Sequence, residues 1–525
     1  MNDTPNENQS HQGATWSPLA EAMKHEYHAP VTKQGNPIDS KDPGSSTSRL
    51  VAIIITILVV VSVILWQNTG DEIKYQTLLG KAPPVTELTP DSPAPGSFSQ
   101  VDIVGRVFLR GYEMFQAQPV MHNIETPGML YGYEDRVRII MLAGEFEGAQ
   151  SALERVQTLK NEIEGKALDP LDPVIPDDLI VAELNTLETI YTVGIDQLEK
   201  NQKNQLAARY GLIGKVALTH GLDNSDIQRE PLINGFGLIM LIMIIAILGI
   251  VIFPILGLVL LVIGIVHYST GKMKLRNHVP TRGGSVFLET YALFVAGFLV
   301  ISIGTFYVSN SSNPQLAQFS LLAQWLLLLT VLWGAIRGML FSDWRKAIGW
   351  NAGEGVLKEI SCGIVAYIAS LPIYIVGVAI TFILLVASEW MSASPNGVEE
   401  IPEPVSNPVF EIIANGNFFT IAMLFILATT WAPIVEEAIF RGALFRHLRG
   451  YMHWVFAAIA SAILFAFMHD YGPLLVAPLI ALGFMFAFMR EWRGSLIAPM
   501  TAHFLHNFTL MSFMIILVQL IKDPM

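Results

Sequence analysis

Charge is scarce in this chain, and cysteine is scarcer. Only 15% of its 525 residues are Asp, Glu, Lys or Arg. A soluble domain carries about a quarter, so an ordinary globule in water is excluded. Cys362 is the single cysteine, which excludes an intrachain disulfide framework and any Cys-based zinc or iron–sulfur cluster. Positive charge is also short: 32 Lys and Arg against 45 Asp and Glu give a formal charge of −13. That balance speaks against a nucleic-acid partner.

The acidity is unevenly placed. Residues 67–231 hold 14 basic and 25 acidic side chains, whereas residues 232–525 hold 14 of each. What remains is a nearly neutral and very apolar body, and the mean hydropathy of the whole chain is +0.46. The fold class that follows is an all-α polytopic membrane protein. It has about nine transmembrane helices and an inserted soluble helical domain.

Residues 1–49 are rich in Asn, Ser, Pro, Gly and His without a hydrophobic period and read as a disordered polar tail. Residues 50–66 form an apolar run just long enough to span a bilayer. The polar tail before it places it too deep for a cleaved signal peptide, so it reads as a signal anchor. Residues 67–231 form an acidic soluble helical domain that opens with a Pro-rich linker at 82–96. Within it, Met141–Leu153 has the spacing of a helical hairpin and resembles half of a tetratricopeptide-type repeat. Tyr210–Leu218 reads as the first helix of another. Two fragments do not make an array.

Residues 232–339 are transmembrane helices and residues 340–525 form a further membrane core. Apolar segments fall at 233–267, 286–309, 316–337, 360–388, 417–440, 454–469, 474–489 and 495–520. Pro254 leaves open whether the first is one helix or two. Lys272, Lys274, Arg276 and Arg282 sit in one loop without an acid, whereas the 389–416 loop carries only acids. By the positive-inside rule the tail is cytoplasmic and the 67–231 domain non-cytoplasmic, in a cell membrane. Arg441, Arg446, Arg449, Arg490 and Arg493 fall on the inner side in this scheme. Asp343–Trp350, with Lys358 and Glu359, reads as a helix lying in the inner interface.

Ionisable groups inside apolar helices cost about 2.5–3.5 kcal/mol each at mid-bilayer on insertion scales, so each needs a partner or a task. Three clusters qualify. Glu436, Glu437 and Arg441 end one apolar segment, His469-Asp470 ends the next, and His503, His506 and Asn507 lie in the last. Glu437 and Arg441 are four apart and share a helical face, whereas Glu436 is turned by about 100° from Glu437. His503 and Asn507 project together from one helix. A carboxylate, an imidazole and a His/Asn pair from three helices can activate a water and hold an oxyanion. Plainer readings stand beside this one. The Glu–Arg pair also serves as a clasp, and His469-Asp470 also suits an interfacial turn. His447 and His453 read as surface residues, and His506 as a packed neighbour.

The order Glu-Glu-x-x-x-Arg, Phe-x-x-x-His, His-x-x-x-Asn on successive apolar segments is carried by Glu436, Glu437 and Arg441, then Phe465 and His469, then His503 and Asn507. It resembles the CPBP family of CAAX proteases and bacteriocin-processing enzymes, also called Abi, which includes the type II CAAX prenyl endopeptidase. The resemblance covers roughly residues 340–520 and implies an intramembrane endopeptidase acting on a membrane-associated protein or peptide in contact with lipid. It implies Glu436 as general base, His469 as its partner on the attacking water, and His503 and Asn507 as the oxyanion site. Glu437 and Arg441 would brace the first helix.

Glu436, His469 and His503 also make a zinc ligand set. The lack of His-Glu-x-x-His and the presence of Asn507 favour the version without a metal or other cofactor. Nothing selects a prenylated CaaX tail as substrate. One point resists the scheme: at 1.5 Å per residue His469 lies about 22 Å from residue 454, nearer the outer side than Glu436 and His503. The alternative function is a noncatalytic scaffold or immunity-type protein that works through the 67–231 domain and a protein partner of that domain. A transporter is the weakest reading, because no paired Gly/Pro-interrupted halves suggest an inverted repeat.

Overall fold

Leu50–Trp66 is dominated by β-branched residues, poor helix formers in water, yet it lies inside one helix, α1 (Ser46–Asn68). A bilayer offers backbone groups no partner but one another, which forces the helix. Ser45 and Ser48 close its start as a capping box. The computed structural model describes residues 42–69, 74, 100–116, 118–125, 132–167, 178–309, 321–392, 408–469, 471–472 and 474–522. Among these, every regular element is helical. Residues 1–41 of the tail, the 82–96 linker, Asp470, Pro473 and residues 393–407 of the acidic loop lie outside them.

After α1 come α2 (Gln100–Arg110), α3 (Tyr133–Phe146), α4 (Ala149–Ala167), α5 (Asp178–Thr192) and α6 (Lys200–Ala217). They close on one apolar core that includes Leu109, Val137, Met141, Val156, Leu184 and Val216. The helical hairpin expected at 141–153 is α3 and α4, turning at Gly148 with φ of 95°, a conformation that suits glycine. Tyr210–Leu218 differs from expectation. It starts no new hairpin but ends α6, which bends at Gly211 (φ 53°, ψ −124°). That positive φ favours glycine, and the Arg106 guanidinium lies 2.7 Å from where a Cβ on Gly211 would stand.

The membrane part comprises α7 (Phe236–Ser269), α8 (Val286–Ser309), the short α9 (Phe341–Ile348), α10 (Val356–Ser392), α11 (Phe418–Arg449), α12 (Trp454–Ala466), α13 (Ala477–Arg493) and α14 (Ile497–Lys522). Among the described residues six helices, α1, α7, α8, α10, α11 and α14, are long and apolar enough to cross a membrane. The chain is a multi-pass membrane protein. α7 is one helix through Pro254, and Gly257 lets α10 come close: a Cβ there would meet the Ile368 carbonyl at 2.2 Å.

The remaining three apolar segments are shorter than the expected spans. Residues 324–336 break into four-residue helical pieces, α12 has 13 residues and α13 has 17. At 1.5 Å per residue α12 is about 20 Å long, less than the roughly 30 Å hydrocarbon core. His469, in the turn after α12, nevertheless lies within electrostatic reach of Glu436 and His503, so the expected separation in depth is not found.

One end of the helical array gathers charge. Arg449 pairs with Glu491 at 2.9 Å, Arg493 with Glu359 at 2.7 Å, Arg446 with Asp42 at 2.9 Å and Arg276 with Glu354 at 2.5 Å. These arginines count toward the topological bias, but they are clasps between segments rather than free loop charges. His447 and His453 are likewise half-buried. His447 lies against Tyr451, and His453 caps α12 through Val455 N–H.

Candidate active site

α11 is not uniformly α-helical. Leu427–Trp431 and Glu437–Leu444 are π-helical, on either side of Pro433. A proline removes an N–H from the ladder, and π turns gather at functional sites. A carbonyl in each stretch accepts an additional bond from a neighbouring helix. Asn507 Nδ2 on α14 donates to Ala428 at 2.8 Å, and Ser461 Oγ on α12 donates to Phe440 at 3.0 Å. The altered winding is thus tied down on both sides.

The second π stretch begins at Glu437, and its consequence is an unusual sharing. The His503 ring lies between two consecutive carboxylates. Its Nδ1 is 2.9 Å from Glu437 Oε1 and its Nε2 is 3.9 Å from Glu436 Oε2. Glu437 Oε1 also accepts from Arg441 Nη1 at 2.9 Å. Both Glu437 and Arg441 are wholly buried, so their ion pair is what permits either charge there. Arg441 also donates to the Gly483 carbonyl at 3.2 Å, and its guanidinium carbon stands 4.4 Å from the Phe465 ring centre and 5.2 Å from that of Phe486. A guanidinium between aromatic faces gains cation–π attraction.

Glu436 is placed differently. Its Oε2 is buried and has no hydrogen-bond partner within the protein. His469, in the turn after α12, is bonded from Nδ1 to the Phe465 carbonyl at 3.0 Å. A carbonyl only accepts, so Nδ1 carries the proton and Nε2 keeps a lone pair in the neutral ring. Phe465 joins the two imidazoles, with its ring centre 4.9 Å from that of His469 and 6.1 Å from that of His503. Glu436, His503 and Arg441 all lie within electrostatic reach of His469. The structure therefore brings together Glu436, Glu437, Arg441, Phe465, His469 and His503. Asn507 stands one helical turn beyond His503, with one of its two amide N–H groups committed to Ala428.

His506 is buried against Tyr374, 5.3 Å between ring centres, and is a packed neighbour. Among the described residues no group of three His, Cys, Asp or Glu side chains is arranged to hold a metal ion. Phe486, stacked on His503 at 5.3 Å, belongs to the site and was missed. So did Gly483, where a Cβ would meet Ala462 at 3.0 Å. Nothing marks either within an apolar run, because their role exists only when α12, α13 and α14 are in contact.

Residues 418–509 match the family model described as type II CAAX prenyl endopeptidase Rce1-like. The chain carries a domain of that family. Neither a curated protein nor a solved structure matches the chain. The Rce1-like domain begins with α11 and ends within α14, so it holds Glu436, Glu437, Arg441, His469, His503 and Asn507. It is narrower than the 340–520 suggested by the motifs and leaves out α9 and α10. Its family is one of proteases that act on membrane-associated proteins or peptides, which agrees with a multi-pass chain whose charged cluster lies among apolar helices.

Proposed function

We propose that the Rce1-like domain hydrolyses peptide bonds of membrane-associated substrates with a water activated by Glu436. One observation carries the reading: a buried Glu436 oxygen without a protein partner faces an imidazole already braced by a second carboxylate. A general base needs an available lone pair. Glu436 takes a proton from water as the water oxygen bonds to the scissile carbonyl carbon. His469 Nε2 accepts the water's other hydrogen. His503, held through Nδ1 by Glu437, donates from Nε2 as an imidazolium to the developing oxyanion, and the second N–H of Asn507 adds to it. Collapse of the tetrahedral intermediate breaks the C–N bond, and the proton on Glu436 passes to the leaving amine. Arg441 offsets the charge of Glu437 throughout.

The competing chemistry is a zinc held by Glu436, His469 and His503. By the charge of the 268–285 loop, we place the tail on the cytoplasmic side of a cell membrane and the 67–231 domain outside, where it meets a protein partner. A noncatalytic scaffold remains the second reading, favoured by the separate core that α2–α6 build for themselves.

The deciding experiment compares peptide termini in membranes that express the wild-type chain or Glu436→Ala at equal abundance. Termini confined to the wild type are expected. Identical sets would sink the proteolytic reading and favour the scaffold. A chelator leaves the wild-type termini unchanged under the glutamate route and removes them under the zinc route.

A further inference from the structure

A helix that ends inside a membrane leaves carbonyl groups without N–H partners, and each such group costs several kcal/mol in hydrocarbon. α12 ends at Ala466, and the next residues carry His469 in a turn held by few bonds. The His469 N–H donates to Ala466 and the Tyr471 N–H to His469. Neither serves the carbonyl of Met468, the residue just before the histidine. That carbonyl accepts from Gln67 Nε2 at 3.2 Å. Gln67 lies at the far end of α1, some 400 residues away in sequence and outside the segment matched by the family.

α1 is fixed along its length. At one end Ser48 bonds Ser285 at 2.8 Å, Arg49 bonds the Tyr451 hydroxyl, and the preceding Asp42 pairs with Arg446 just beyond the catalytic π turn. In the middle, Val63 is buried in the same apolar cluster as Phe440, Phe465 and Met468. At the other end Trp66 meets Phe306 on α8 edge to face at 5.5 Å. The helix therefore presents Gln67 to the turn from a rigid support. We propose that Gln67 is a positioning residue for His469, so that the first membrane helix is a working part of the site and not only an anchor. The inference rests on the proteolytic reading above.

The test uses the full-length chain in membranes and counts the termini that depend on Glu436. Gln67→Leu lowers their yield by about ten-fold, the worth of one hydrogen bond, when compared at equal abundance. Gln67→Glu keeps the shape but is acceptor-only when ionised and a donor when protonated. Its yield relative to wild type is low at pH 8 and recovers as the pH falls through about 4–5. A contact that serves only the fold would show its pH dependence in the thermal midpoint, with the yield per folded chain at the wild-type level. Wild-type yield from Gln67→Glu at pH 8, or a deficit that does not change with pH, overturns the positioning role and leaves proteolysis standing. If Glu436→Ala and wild type give the same termini, the proteolytic reading falls and the positioning role with it.

Discussion

The α2–α6 bundle and the membrane site both bury charge, and they differ in how closely their carboxylates are held by cations. In the α2–α6 bundle Arg209 reaches Glu134 at 2.9 Å and Glu183 at 3.4 Å, Arg138 reaches Asp135 at 2.8 Å, and Arg229 reaches Glu145 at 2.6 Å. Burial pushes the Asp102 carboxyl up, and the Arg106 guanidinium beside it pulls it back. Each of these carboxylates meets a cation. In the membrane site Glu437 Oε1 meets both Arg441 and His503 at 2.9 Å, whereas the adjacent Glu436 meets the same imidazole at 3.9 Å, beyond hydrogen-bond reach. A buried polar group with its partners supplied is architecture, and one left without them calls for another explanation. In an apolar helix that explanation is functional by default.

The largest effect should come from the more loosely held carboxylate, Glu436. Glu436→Gln keeps the volume and removes the base, so the Glu436-dependent termini fall by about 10²–10⁴-fold with an unchanged thermal midpoint. A drop in stability instead would show that Glu436 is as structural as its neighbour. Next comes the paired one. Arg441→Met leaves Glu437 buried without its cation and costs about 3–5 kcal/mol in reversible denaturation. Intact stability would mean that His503 alone neutralises Glu437.

The α2–α6 bundle gives a smaller effect with the opposite functional outcome. Arg229→Ala strands Glu145 and costs about 1–3 kcal/mol, seen as faster hydrogen exchange within residues 101–233, while proteolysis is unchanged. Loss of proteolysis would tie the two regions together more closely than α1 alone does. The smallest effect belongs to an exposed clasp. Hydrogen bonds from Arg493 and Lys358, together with Arg276, hold Glu354 down at about 2. A carboxylate whose folded value is depressed stabilises the fold above its unfolded value, and the contribution fades as pH falls toward the folded one. The thermal midpoint of wild type should therefore exceed that of Glu354→Gln at neutral pH, and the gap should close between about pH 4 and pH 2.

Much of this protein could be read before any coordinates. Low charge and long apolar runs dictate membrane helices, because a bilayer leaves the backbone no alternative. The residues of the three motifs are legible because ionisable groups in such runs are expensive and therefore few. Other features have no local signal. The π winding of α11, with Asn507 and Ser461 bonded to its carbonyls from other helices, has no local mark, nor does the meeting of two consecutive glutamates, about 100° apart on an ideal helix, at the one imidazole of His503. The end of α12 at Ala466, hidden in an apolar run that continues past it, and the approach of His469 to Glu436 and His503 have no local mark. Phe486, Gly483 and Gln67 look like ordinary residues of apolar helices. Composition and spacing alone determined that this chain crosses a membrane and which charged residues it carries there. Only the packed bundle decided which of those charges are paired, because a partner drawn from a distant helix exists only once the helices touch.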